Sequence, residues 1–234
     1  AKIFVPNLTP AGLGKYSDEQ LFRAITGGIG TNGKVLFPVM PYLNYAKADP
    51  EDIKAIIAYL RSLKPIEHDV RASKVRFPVN LIANTFPEEP HFVKRPDPGN
   101  EVEYGKYLVT VAGCGDCHTP RKGARLDESR ALSGGSAMKL PGGGKVRGPN
   151  LTPDKSTGLG AWTKAVFINR FKMVSLKGEY TPHTVPKGGV QTNMPWTMYA
   201  EMKVGDLDAI YEYLHSLKPV EHAVKRWYAP KKQD

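Results

Sequence analysis

Residues 40–68 of this 234-residue chain align without a gap on residues 194–222, at a constant offset of 154, with about half of the aligned positions identical. An internal duplication constrains the fold more than composition does, because both copies must be able to bury the same faces. In the first copy Met40-Pro41-Tyr42 leads into DIKAIIAYLRSLKPIEH; in the second Met194-Pro195-Trp196 leads into DLDAIYEYLHSLKPVEH. Upstream, VPNLTP at residues 5–10 answers GPNLTP at 148–153, and GLGKYS answers GLGAWT, with insertions in the second copy between these anchors.

Each copy ends in a helical pattern. Ile53, Ile56, Ile57, Leu60 and Leu63 recur three and four apart, as do Leu207, Ile210, Tyr211, Leu214 and Leu217, so one face of each helix must be buried. Asp49 before Pro50, Glu51 and Asp52 is a helix start, and Pro65 and Pro219 stop the two copies at matching places. A middle helix recurs as well: Ser17 and Gln20 form a capping box ahead of Leu21, Phe22 and Ile25, while Thr163 opens a segment presenting Phe167, Ile168 and Phe171. In the stretch EVEYGKYLVTVAG, Gly105 lets another helix approach closely while Tyr107 and Leu108 pack. Between the copies, RFPVNLIANTFPEEPHFVKRPDPGN carries Pro78, Pro87, Pro90, Pro96 and Pro98 without a helical or alternating period, and reads as an extended linker. The expected architecture is all-α: residues 1–69 as the C-terminal part of a first domain, 70–100 as linker, and 101–234 as a complete second domain.

The chain's two cysteines both lie in VAGCGDCHTPR at residues 111–121, with a histidine directly behind the second. A thioredoxin-like pair would need a strand before it and a parallel sheet around it, whereas the pattern here is helix and loop. Zinc would need a second ligand pair, and His68, His91, His183, His215 and His222 form none at finger-like spacing. A disulfide across two residues closes a ring too small to constrain the unfolded chain much. Covalent haem attachment uses all three residues: thiols one helical turn apart reach two vinyl groups, and the next residue presents its imidazole to iron. Met194-Pro195, far downstream and ahead of the last helix, can bring a thioether to the opposite face.

With CGDCH, the GPNL at 148–151, NMPW at 193–196 and the terminal helix, the chain resembles the class I c-type cytochromes over nearly its whole length. More narrowly, GPNLTPDKSTGLGAW and the RFPVNL linker look like the multi-domain cytochrome c subunits of periplasmic alcohol, aldehyde and gluconate dehydrogenases. The resemblance implies tandem cytochrome c-like domains and an electron-carrying role. It implies Cys114 and Cys117 as thioether anchors, His118 as proximal and Met194 as distal ligand, and the Pro149 carbonyl as the group orienting the His118 ring. Trp162 and Trp196 are expected as walls of the haem pocket. Met40 stands at the equivalent of Met194, yet the first copy begins too late to hold its own attachment motif. The uncovered apolar face of residues 53–63 predicts that its covering helix lies outside the given sequence, which makes Met40 a conditional ligand to a second haem iron. A haemless half-domain is the alternative.

The bland readings place His183 in an exposed loop, His215 on a solvated helix face, His68 and His222 in a shared structural contact, and the glycines of LPGGGKVRGP in a flexible loop. The net charge of +10 and pI near 9.5 favour acidic docking partners, here a dehydrogenase donor and an oxidase or cytochrome acceptor. Scattered Lys and Arg without a nucleic-acid motif argue against nucleic acid. No run approaches the roughly 18 apolar residues of a membrane span, and no exported leader opens the sequence, so a periplasmic chain already free of its signal peptide is expected. The expected activity is electron transfer without catalysis by the chain itself. A di-haem peroxidase or thiosulfate-oxidising cytochrome is the competing class, and a non-redox binding module on the same fold a third.

Overall fold

The computed structural model describes residues 3–75, 77–123, 125–140, 143–173 and 193–229. The chain divides into two compact units, Ala1–Arg95 and Pro96–Asp234.

The first unit contains α1 (Pro10–Leu13), α2 (Asp18–Gly27), α3 (Tyr42–Tyr45), α4 (Pro50–Ser62) and α5 (Val79–Ala83). The capping box at the start of α2 is reciprocal: the Gln20 amide N–H donates to Ser17 Oγ at 3.2 Å, and the Ser17 amide donates to Gln20 Oε1 at 2.9 Å. Asp49 caps α4 by accepting from the Glu51 amide at 2.9 Å, with Pro50 in the first turn where its missing N–H costs nothing. Residues 70–95, read from the sequence as part of an extended linker lying over the surface, group with this unit. They contain α5, Phe92 meets Phe22 at 5.5 Å between ring centroids, and Arg95 clasps α4 through its amide to Asp49 Oδ2 and its guanidinium to Asp52 Oδ1. The sequence offered no period there because the segment is held by single aromatic and ionic contacts.

The second unit contains α6 (Glu101–Val111), α7 (Cys114–His118), α8 (Lys164–Lys172), α9 (Trp196–Tyr199) and α10 (Val204–Ser216). The helices of the repeat match residue for residue: α3 and α9, and α4 and α10, are each related by the same offset of 154. Leu207, Ile210 and Leu214 of α10 form a core with Val109, Phe167 and Leu159. The α6–α10 crossing is as close as the sequence anticipated, since a Cβ on Gly105 would lie 1.9 Å from the Ala209 carbonyl oxygen. Only a residue without a side chain fits there.

Besides its helices the second unit holds two small antiparallel sheets that the all-α expectation left out. One is β1 (Arg121–Lys122) with β2 (Arg125–Leu126); the other has the order β3 (Met138–Lys139), β4 (Lys145–Val146), β5 (Trp227–Tyr228). Strands β3 and β4 flank the glycine-rich stretch expected as a flexible loop, of which residues 141–142 lie outside the described residues, and β5 adds the third strand. Two-residue strands leave no alternating pattern to detect, so their pairing is a tertiary outcome. Among the described residues no helix is long and apolar enough to cross a membrane.

Candidate haem site

Helix α7 is a single turn, and it sets Cys114 and Cys117 three residues apart on one face with His118 at its end. Both cysteines are free of any disulfide. The backbone behind them is gripped from two sides. A Cβ on Gly135 would lie 1.7 Å from the Cys117 carbonyl oxygen, and one on Gly148 would lie 2.2 Å from that atom and 3.1 Å from His118 Nδ1. Hydrogen bonds close the cradle: Gly134 N donates to His118 O at 2.7 Å, Gly135 N to Gly148 O at 3.0 Å, and Leu132 N to Thr119 Oγ1 at 3.0 Å.

His118 is 7% exposed. Its Nδ1 stands 2.9 Å from the Pro149 carbonyl, so Nδ1 carries the proton in the neutral ring and Nε2 is the nitrogen left for a metal. Desolvation pulls the His118 pKa below its usual value, only partly countered by the Pro149 bond, and so favours the neutral, ligating imidazole. Burial pushes the Cys114 thiol up to about 12, and burial with the nearby Asp116 raises Cys117 as well. These are protonated thiols. Among the described residues no three His, Cys, Asp or Glu side chains are grouped to hold a metal ion.

Pro149 is fixed by its neighbour. Asn150, 2% exposed, donates through Nδ2 to the Val220 carbonyl at 2.8 Å and accepts from the Thr152 amide and hydroxyl, while the Val220 amide donates to Thr152 Oγ1. The same net recurs in the first unit: Asn7 Nδ2 donates to the Ile66 carbonyl at 2.8 Å, Oδ1 accepts from the Thr9 amide and hydroxyl, and the Ile66 amide donates to Thr9 Oγ1. The recurring NLTP in the sequence was its signal.

Met194 is half-buried and opens the turn into α9, with Trp196 N donating to Met194 O at 2.8 Å; Met40, also half-buried, makes the identical turn with Tyr42 N at 2.9 Å. Two tethers on the Met194 segment escaped the sequence reading. Tyr199 Oη donates to the Ala112 carbonyl at 2.8 Å, two residues before Cys114, and Lys172 Nζ donates to the carbonyls of Ala200 (2.8 Å) and Met202. Tyr199 is shared with Tyr45 of the first copy and was findable on that ground; Lys172 left no signal, since only the fold brings the end of α8 to the end of α9.

Trp196 packs edge-on against Phe171 at 5.3 Å with the Arg170 guanidinium 4.8 Å from its ring centre. Trp162 and Cys114 both border the core of the unit, and the Trp162 carbonyl accepts from Tyr211 Oη at 3.0 Å. The other histidines divide. His183 lies outside the described residues. His215 is not on a solvated face: it stacks on Tyr211 at 4.0 Å, its Nε2 is buried without a hydrogen-bond partner, and desolvation lowers its pKa. His222 Nδ1 meets the Ser133 carbonyl at 2.7 Å and its amide donates to Thr157 Oγ1, whereas His68 is exposed. The two do not share a contact, because Thr157 belongs to an insertion that the first copy lacks.

Two unbridged thiols one helical turn apart, followed by an imidazole whose Nδ1 is already engaged by Pro149, are a donor set that fits covalent haem attachment. No protein-family model matches the chain. It is 32% identical over 234 residues to the cytochrome c subunit of alcohol dehydrogenase (quinone) from Gluconacetobacter polyoxogenes, covering 93% of this chain and 48% of that protein. It is 30% identical over 232 residues to the gluconate 2-dehydrogenase cytochrome c subunit of Pantoea cypripedii, covering 92% and 51%. A diheme cytochrome c-type protein of Cereibacter sphaeroides is 34% identical over 165 residues, covering 64% and 53%. The chain spans about half the length of the curated relatives it matches. These relatives, at about 30% identity, are cytochrome c subunits of alcohol, fructose and gluconate dehydrogenases, which matches the class that the chain's motifs resemble.

Proposed function

We propose that the chain carries single electrons from a dehydrogenase to a respiratory acceptor in the periplasm, through a haem c held in the second unit. The carrying observation is the neutral, buried His118 fixed through Nδ1 on Pro149, one residue from Cys117 on a single helical turn. When bound, haem c supplies the one-electron ferric–ferrous couple. Cys114 and Cys117 would hold it through thioether links to its two vinyl groups. His118 through Nε2 and Met194 through Sδ would be the protein ligands to its iron. One thioether and one imidazole ligand would raise the potential relative to two imidazoles and would leave no position for a substrate. Trp162 and Trp196 wall the pocket and exclude water. The dehydrogenase-subunit relatives favour this reading over a di-haem peroxidase or thiosulfate-oxidising enzyme.

In the same reading the first unit would be a second haem site. Support comes from the repeated Asn-Thr net, the repeated turn at Met40, and a relative named as a diheme protein. In this reading Met40 is the distal ligand, and the domains follow the repeat.

Intact mass under denaturing conditions with a pyridine haemochrome spectrum tests the proposal. One covalent haem on this polypeptide, lost in Cys114→Ala/Cys117→Ala, is expected; a chain matured alongside a haem-attachment apparatus that takes up no covalent haem overturns it.

A further inference from the structure

The β3–β4–β5 sheet carries Lys139, Lys145, Arg147, Lys225 and Arg226 on or beside its short strands, and neither residues 129–153 nor residues 222–229 contain a carboxylate. Lys139 sits directly across from Lys145 in the ladder, a like-charge pairing that weakens a sheet. Tyr228, paired with Lys145, lies between two cations: the Arg147 guanidinium is 5.3 Å and Lys225 Nζ 5.1 Å from its ring centre. Elsewhere in this unit Lys164 pairs with Glu212 and Lys106 with Glu103. Among the described residues none of the five sheet cations has a carboxylate within ion-pairing distance. Five uncompensated cations on one small sheet are a large share of a net charge of +10.

The sheet is continuous with the site. Val146 at the end of β4 is followed by Arg147, Gly148 and Pro149, the residue whose carbonyl holds His118. We propose that this sheet is the docking surface for the acidic face of a redox partner protein, bringing that partner to the His118 side of the site. The proposal rests on the electron-transfer reading above. A lipid surface is disfavoured: no large apolar side chain is exposed among the described residues of 138–147 or 222–229, so nothing there can insert below the headgroups. A tyrosine held rigid between cations in an acid-free patch suits a protein interface, where aromatics and arginine are enriched and charge complementarity sets the encounter rate.

The test uses the haem-loaded chain, the triple variant Lys139→Gln/Lys145→Gln/Lys225→Gln, and a control of equal charge loss, Lys64→Gln/Lys155→Gln/Lys218→Gln, whose exposed lysines lie outside the sheet. The probe is an acidic flavodoxin. Its anionic hydroquinone gives one electron to ferric iron and becomes the neutral semiquinone, with no proton exchanged. At low ionic strength the sheet variant is expected to react about tenfold more slowly and to lose most of its salt dependence, with the control within about twofold of the parent. Equal slowing in both variants overturns the proposal. Calorimetric titration with oxidised flavodoxin reads docking separately: binding lost only in the sheet variant, with no electron passed by any of the three proteins, keeps the docking surface and overturns the electron-carrier reading. Sedimentation with phosphatidylcholine/phosphatidylglycerol vesicles closes the remaining route. Vesicle binding that only the sheet variant loses, with flavodoxin rates unchanged, assigns the patch to a lipid surface and overturns the protein partner.

Discussion

Helices α4 and α10 descend from one pattern and meet different fates. In α10, Ala209 and Ile210 are 1% and 5% exposed under α6; their counterparts in α4, Ala55 and Ile56, are exposed, Ile56 at 36%. Tyr213 is half-buried where Tyr59 is 64% exposed. Both helices still bury their first and central apolar residues: Ile53 and Leu207 are fully enclosed, and Ile57 nearly so. The local supports run the other way. α4 has the Asp49 cap, Pro50 and the Arg95 clasp, whereas α10 begins at Lys203, which makes no capping bond, and relies on packing. An amphipathic pattern states which face wants burial, and the neighbour decides how much of it is buried.

The largest break in this comparison is at the helix crossing. Gly105→Leu should separate α6 from α10 and destabilise the second unit by about 3 kcal/mol or more, because the added atoms meet backbone that cannot yield. The matched change Ala55→Leu in α4 should fall within about 0.5 kcal/mol. Urea denaturation of the haem-loaded protein, followed separately by tryptophan emission and far-ultraviolet dichroism, reads both; similar losses from the two would remove the asymmetry.

Ile210→Ala should cost about 2–5 kcal/mol as a core truncation, and Ile56→Ala under about 1 kcal/mol. Equal shifts in the denaturation midpoint would mean that the α4 face is covered in solution.

Lys172→Met sharpens the contrast between the two methionine turns, because the counterpart of Lys172 in the first unit, Thr26, bonds only within its own helix to the Phe22 carbonyl. Loss of a charged hydrogen bond is worth about 1.5–3 kcal/mol. With Met194 as the proposed ligand, the ferric methionine–iron charge-transfer band should disappear at lower pH than in the parent, and Lys172→Arg should recover part of the shift. A band unaffected by Lys172→Met would show that the strap holds without it.

The smallest effect is at the cap. Two amide hydrogen bonds, from Arg95 first and Glu51 second, hold the Asp49 pKa below its usual 3.8. The folded value is the depressed one, so this contribution is complete above 3.8 and is lost as pH falls through the folded value. Asp49→Asn keeps an acceptor and should flatten the acid limb of the stability curve; an unchanged limb would assign it to other carboxylates.

The local chemistry of this protein was legible from its sequence. The Ser17–Gln20 box, the Asp49 and Thr163 caps, the Gly105 crossing and the one-turn spacing of Cys114 and Cys117 all act within a few residues, where sequence and geometry are nearly the same thing. The duplication carried the reading further, since two copies of NLTP and MP turned single motifs into a repeated frame. What the sequence could not state is anything carried by contacts between distant segments. The β4–β5 pairing joins residues some eighty positions apart through strands too short to leave a pattern. Lys172, Tyr199 and the glycines at 135 and 148 serve the site only because the fold brings their neighbours to them. His215 looked solvated by its position on the helix and is stacked on Tyr211. Sequence alone marked which groups are candidates to hold haem and which faces must be buried, because composition and spacing set valence and periodicity. Tertiary structure decided which nitrogen of His118 is free, how high the thiol pKa values stand and which cations go unpaired, because desolvation and hydrogen bonding depend on what lies within a few ångströms in space.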